Sequence, residues 1–137
     1  MATAASWYED DGDLERMRAE DRYLQAVYRR LRRRCPHLSA ATAGVHVYPS
    51  RHCTYTVNKR RIFVRVFDEA RGVCFPECVL AHVILHELAH VHNTRDLGHG
   101  PRFRSALRAL TRPPCRGDGG PPSPCEEQVP ADYNTCH

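Results

Sequence analysis

The chain has 137 residues, with 20 Lys and Arg against 16 Asp and Glu and a formal net charge of +4. This length allows one domain with a modest core, and because no apolar run is long enough for a membrane span or an export signal, we expect an intracellular protein, cytoplasmic or nuclear, without membrane contact. The seven cysteines are odd in number and irregularly spaced, which favours reduced thiols over a secreted disulfide scaffold.

The first predicted element is an amphipathic helix over residues 12–34. Apolar side chains recur there at helical spacing, acidic residues lie early and arginines lie late, which is the order that a helix dipole favours. The helix is predicted to end at Cys35-Pro36, because proline cannot continue the hydrogen-bond ladder.

Three short strands are predicted next, since the segments 45–49, 54–57 and 61–67 are rich in β-branched and aromatic residues. A tight turn at Asn58-Lys59 should join the last two. The third strand, RIFVRVF, should bury its alternate apolar residues, and as a sheet edge it could pair with an extended substrate.

Two further helices complete an α+β fold. The segment from Cys78 to about Asn93 is mostly apolar at helical spacing, which predicts a buried helix, and a short helix should start at Pro101. Residues 113–137 begin with PPCRGDGGPPSPC, which is too rich in proline and glycine for regular structure. We therefore predict one domain over 1–112 followed by a linker and tail.

The buried helix carries the motif HExxH at His86, Glu87 and His90. Residues four apart lie on one helix face, so the two imidazoles can bind one metal ion. Glu87 is rotated by about 100° from His86 and lies beside the ion, where it can accept a proton from a water nucleophile. The motif predicts a hydrolytic zinc site with His86 and His90 as ligands and Glu87 as the catalytic residue.

A hydrolytic zinc usually has a third protein ligand, and the candidates are His99, Asp96, Glu126 and Glu127. Asp96 follows His90 at the metzincin spacing, but that pattern needs a glycine at position 93, where this chain has asparagine. The two glutamates lie in the predicted tail. His99 is favoured, because it lies between two glycines just before the helix at Pro101, and a flexible turn could bring its ring to the site.

The sequence HELAH at 86–90 followed by GHGPRF at 98–103 resembles the SprT-like and WLM families of zinc metalloproteases. The resemblance covers roughly residues 45–110 and includes short WLM-like proteins of large DNA viruses. It implies a minimal zincin-like fold, with an N-terminal helix, a small three-stranded sheet, the active-site helix and a short following helix. It also implies Zn²⁺ on His86, His90 and His99, catalysis by Glu87, and cleavage of proteins crosslinked to DNA.

A basic run at the end of the first helix is the other feature with a functional interpretation. It contains five arginines, which either form a solvated helix end or contact DNA phosphates: Arg29, Arg30, Arg32, Arg33 and Arg34. A helix presents these side chains on several faces, so two or three should contact one DNA backbone.

The sequence therefore predicts a monomeric zinc metalloprotease acting on a protein substrate, with DNA as a second partner. A zinc peptidase without a DNA role and a non-catalytic, zinc-stabilised module are the alternatives. The tyrosines Tyr48, Tyr55 and Tyr133 are unranked candidates for stabilising the oxyanion.

Overall fold

Helix α1 (Asp11–Arg34) is the first element of the computed structural model, which describes residues 11–92 and 100–111. Its buried side chains include Leu24, Val27 and Leu31, which belong to the central hydrophobic core. The hydroxyl of Tyr28 donates a hydrogen bond to the carbonyl of Val45 at 2.8 Å. Burial raises the pKa of this hydroxyl, so Tyr28 keeps its proton and continues to tie α1 to the chain entering the sheet.

Three strands form a mixed sheet against α1: β1 (His46–Ser50), β2 (Tyr55–Val57) and β3 (Arg61–Arg65). A short 3-10 helix, Pro36–Leu38, precedes them. The spatial order is β1-β3-β2, with β1 parallel and β2 antiparallel to β3. The tight turn between β2 and β3 is confirmed, because Asn58 and Lys59 have φ angles of 53° and 58°, as this class of turn requires.

Two expectations for the segment RIFVRVF are wrong: its position at the edge of the sheet and its length as one strand. The strand β3 is central and is paired on both sides, so the edges of the sheet are β1 and β2. The predicted strand also ends early, and its last residues form a separate strand β4 (Phe67–Asp68) that pairs with β5 (Val73–Cys74). The backbone N–H of Phe75 bonds the carbonyl of Val66 at 2.9 Å, which keeps this hairpin beside β3.

The two faces of the three-stranded sheet differ in character. Val47, Ile62 and Val64 point inward and are buried in the core. On the other face the rings of Tyr48 and Tyr55 stack on Phe63, with centroids at 5.3 Å and 4.9 Å. The alternation of strand side chains thus leaves an aromatic row outside and an aliphatic layer facing the helices.

Helix α2 (Glu77–His92) packs on the inner side of the sheet and is largely buried, as predicted. Helix α3 (Pro101–Thr111) starts at the predicted proline and contacts α2, with Ala106 and Leu107 packed against the core. The architecture of three α-helices and a small mixed sheet confirms the α+β class. The predicted linker and tail, 113–137, lie outside the described residues.

The cysteines correct one expectation. Cys35 and Cys53 are each part of a disulfide bond, so the prediction of reduced thiols is wrong for these two residues. Sequence spacing could not show this, because disulfide formation depends on proximity in the folded chain. Cys74 and Cys78 are not disulfide-bonded, and both are half-buried. Over 11–92 and 100–111, no helix is long and apolar enough to span a membrane.

Candidate metal centre

The imidazoles of His86 and His90 lie side by side on α2, one helical turn apart. Their ring centroids are 5.0 Å apart and their planes make an angle of 70°. Two imidazoles on one tetrahedral zinc, each with a Zn–N distance of about 2.0–2.1 Å, have ring centres roughly 5 Å apart. The observed spacing therefore fits a shared zinc ion, and neutral imidazole is a donor that zinc prefers.

Glu87 lies between these histidines in sequence but faces the sheet. Its side chain is 0 % exposed, and its Oε1 accepts a hydrogen bond from the hydroxyl of Thr56 at 2.7 Å. A carboxylate is rarely buried so completely unless it is hydrogen-bonded or serves a metal or a reaction. An oriented carboxylate therefore follows His86 directly in the same helix.

The other histidines of α2 have different surroundings. His82 is half-buried one turn before His86, and its Nδ1 is buried, as is Nε2 of His86. His92 is exposed, and its Nε2 lies 2.7 Å from the carbonyl oxygen of Ala41. The contact of His92 with Ala41 links the end of α2 to the segment before β1.

The predicted third ligand cannot be placed. His99 and Asp96 fall between α2 and α3, and Glu126 and Glu127 fall after α3, all outside the described residues. Within the described parts of the chain, no three His, Cys, Asp or Glu side chains are grouped to hold a metal ion. Of the predicted ligands, only His86 and His90 lie within the described residues, and the whole ligand set stays a prediction.

The expected oxyanion-stabilising tyrosines do not face the site. Thr56 points inward to Glu87, so the preceding residue Tyr55 points to the opposite face of the sheet. Tyr48 belongs to the same outer aromatic row. Both candidates are therefore wrong, and Tyr133 lies outside the described residues.

Thr56 is the site residue that the sequence interpretation missed. It lies 31 positions before Glu87, and only the packing of β2 against α2 brings the two together. The sequence feature that could have indicated Thr56 is its position on the inward side of a short strand, where a polar side chain needs a hydrogen-bond partner.

A second candidate site lies at the end of α1, away from the histidines in sequence. Three of the five arginines in the basic run line a groove of about 280 Å³ together with Ser39: Arg29, Arg32 and Arg33. Residues three and four apart share a helix face, which explains why these three converge. Arg30 instead forms an ion pair with Glu77, at the start of α2.

Comparison with known proteins adds no relative, because no protein-family model, curated protein or solved structure matches the chain.

Proposed function

We propose that the chain is a zinc-dependent metalloprotease with a zincin-like fold. The observation that carries this proposal is the paired arrangement of His86 and His90, at a ring spacing suited to one zinc ion, beside the buried carboxylate of Glu87. His99 is the proposed third ligand. Three protein ligands leave one zinc position open for chemistry.

In this mechanism a bound zinc ion supplies Lewis acidity, which makes water a stronger nucleophile and polarises the scissile carbonyl. Glu87 accepts a proton from the attacking water as the new C–O bond forms. The same carboxyl then returns the proton to the nitrogen of the leaving amine as the C–N bond breaks. The buried position of Glu87 keeps bulk water from competing for this proton.

The substrate proposal follows from the sheet. The strand β2 is an edge of the sheet, and its Thr56 contacts the catalytic carboxylate, so the edge nearest the proposed chemistry is β2. An extended polypeptide can add to such an edge through backbone hydrogen bonds. This geometry favours unfolded or extended protein segments as substrates.

The alternative of a non-catalytic zinc module predicts a different coordination. A structural zinc site has four protein ligands and no open position. Such a site also has no need for a buried carboxylate beside it. The hydrogen-bonded Glu87 therefore favours the enzyme.

Metal removal tests the proposed function. We expect the zinc-loaded chain to cleave an unfolded protein such as casein, and the chain stripped with a chelator to be inactive, because both the nucleophile and the carbonyl depend on the metal. Cleavage should return on addition of about one equivalent of zinc, as followed by mass spectrometry of the peptides. Equal cleavage by the zinc-loaded and zinc-free chains would contradict the proposal.

A nucleic-acid partner is the second proposal, and the arginine groove supports it. In the described part of the chain, Arg29 and Arg33 form no ion pair with any carboxylate, and Arg32 lies over the ring of Tyr28 at 5.6 Å. Guanidinium groups that share a groove repel one another, and a phosphate relieves this repulsion through paired hydrogen bonds. Substrates bound to DNA would in this way be brought to the protease.

Neutralising the groove should weaken DNA binding without regard to base sequence. We expect the triple change Arg29→Gln, Arg32→Gln and Arg33→Gln to flatten the salt dependence of binding by about 0.7 to 0.9 log units of slope for each phosphate that the protein no longer neutralises. Fluorescence anisotropy with labelled single-stranded and duplex oligonucleotides, over a range of salt concentrations, measures this slope.

The matched control also removes three exposed positive charges, by Arg18→Gln, Arg22→Gln and Arg60→Gln. This control should lose less affinity and keep more of the slope than the groove variant. Equal losses in the two variants would show that net charge, rather than the groove, attracts DNA. If the unmodified chain does not bind DNA at low salt, the peptidase without a DNA role becomes the better description.

A further inference from the structure

We propose that Thr56 is a positioning residue for catalysis, holding the carboxylate of Glu87 in the orientation that the reaction needs. This inference rests on the proposed protease function and assigns a role to a strand residue outside the HExxH motif. The evidence is the 2.7 Å hydrogen bond from the Thr56 hydroxyl to Oε1 of Glu87, a side chain that is 0 % exposed.

The hydrogen bond from Thr56 restricts the terminal torsion of Glu87, the part of this side chain that the helix leaves free. Helix α2 fixes the Cα of Glu87, but the terminal torsion of a glutamate is broad and roughly two-fold, so the helix alone does not define the plane of the carboxylate. A hydrogen bond to one oxygen sets this plane and so determines where the second oxygen points. A general base must lie within hydrogen-bond reach of the proton that it accepts, which makes this orientation decisive.

The location of Thr56 gives the bond a second consequence. Thr56 lies at the centre of β2, opposite Ile62 of β3, with its side chain on the inner face and its backbone at the edge of the sheet. The residue whose hydroxyl orients the base therefore belongs to the strand that we propose pairs with the substrate. A substrate strand that pairs with β2 would therefore be positioned relative to the Glu87 carboxylate through Thr56.

Thr56→Val tests the role, because valine keeps the β-branched shape and removes only the hydroxyl. We expect kcat to fall by about 10- to 100-fold, as for other residues that orient catalytic groups, with KM nearly unchanged. Thr56→Ser retains a hydroxyl and should restore most of kcat. A merely structural role predicts a loss of stability without a selective effect on kcat.

The matched control is Thr42→Val, which removes a buried threonine hydroxyl that donates to the Leu38 carbonyl at 2.8 Å. This variant should keep its kcat. Zinc affinity, measured by competition with a chromophoric chelator, should be unchanged in Thr56→Val, since Thr56 is not a ligand. Crystal structures of the zinc-free Thr56→Val and Thr56→Ser chains should show the Glu87 carboxylate rotated in the first and retained in the second.

Two results would overturn the inference. One is a Thr56→Val chain with normal kcat, and the other is an unchanged carboxylate orientation in its crystal structure. If valine impairs folding, Thr56→Ala provides the same comparison with a smaller side chain. If Glu87→Gln abolishes cleavage while Thr56→Val does not affect it, the protease function stands and only the role of Thr56 fails.

Discussion

Glu87→Gln should reduce peptide cleavage by a factor on the order of 100 or more while zinc remains bound. Glutamine has nearly the size of glutamate and can still accept a hydrogen bond from Thr56. It cannot accept the proton of the attacking water, so the change removes the base and leaves the metal ligands in place. The rate constant for cleavage and the zinc content of the same preparation measure the two effects separately.

The control for this prediction is Glu77→Gln, the same chemical change in the first turn of the same helix. Glu77 pairs with Arg30 at the protein surface, so its loss should leave the cleavage rate close to that of the unmodified chain. Full activity of Glu87→Gln would show that the buried carboxylate has a structural role and that the mechanism is wrong.

Alanine at His86, His90 or His99 should remove zinc and, with it, all metal-dependent cleavage. We expect each change to weaken zinc binding by more than about 100-fold, because losing a ligand has a greater effect than losing the partners that orient ligands. Zinc occupancy after dialysis against a weak chelator, measured by elemental analysis, tests each position. His92→Ala is the control, since this histidine is exposed and bonds the Ala41 carbonyl.

Two variants distinguish His99 from Asp96 as the third zinc ligand. Loss of zinc in His99→Ala with normal occupancy in Asp96→Ala would support the proposed ligand set. The reverse result would transfer the third position to Asp96. Normal occupancy in both His86→Ala and His90→Ala would remove the basis for a metal centre on α2.

Local sequence patterns predicted the helices and the tight turn because their causes are local. The apolar spacing of α2 and the proline at the start of α3 act within one helix, and the turn at Asn58-Lys59 requires only two residues with positive φ. The parallel pairing of β1 with β3 joins residues 15 positions apart, such as Val47 and Ile62, and no local pattern encodes it. The break at Val66 likewise depends on its pairing with Phe75.

The candidate site likewise contains residues that a local pattern predicts and one residue that only tertiary packing brings in. His86, Glu87 and His90 lie on one helix, so the helical period predicts their arrangement. Thr56 comes to Glu87 from another element, and its role requires the packing of the sheet on α2. The disulfide bonds at Cys35 and Cys53 depend on tertiary proximity too. Because disulfides are rare in the cytosol, they weigh against the predicted intracellular location, which stays a prediction.

X-ray absorption at the zinc K edge of the zinc-loaded chain tests the central claim most directly. We predict three histidine nitrogens at about 2.0–2.1 Å, one further oxygen from water, and no sulfur in the coordination sphere. His99→Ala should remove one nitrogen from that shell in whatever zinc remains bound. A zinc ion with four protein ligands, or with a sulfur ligand at about 2.3 Å, would contradict an open catalytic site and indicate a structural zinc instead.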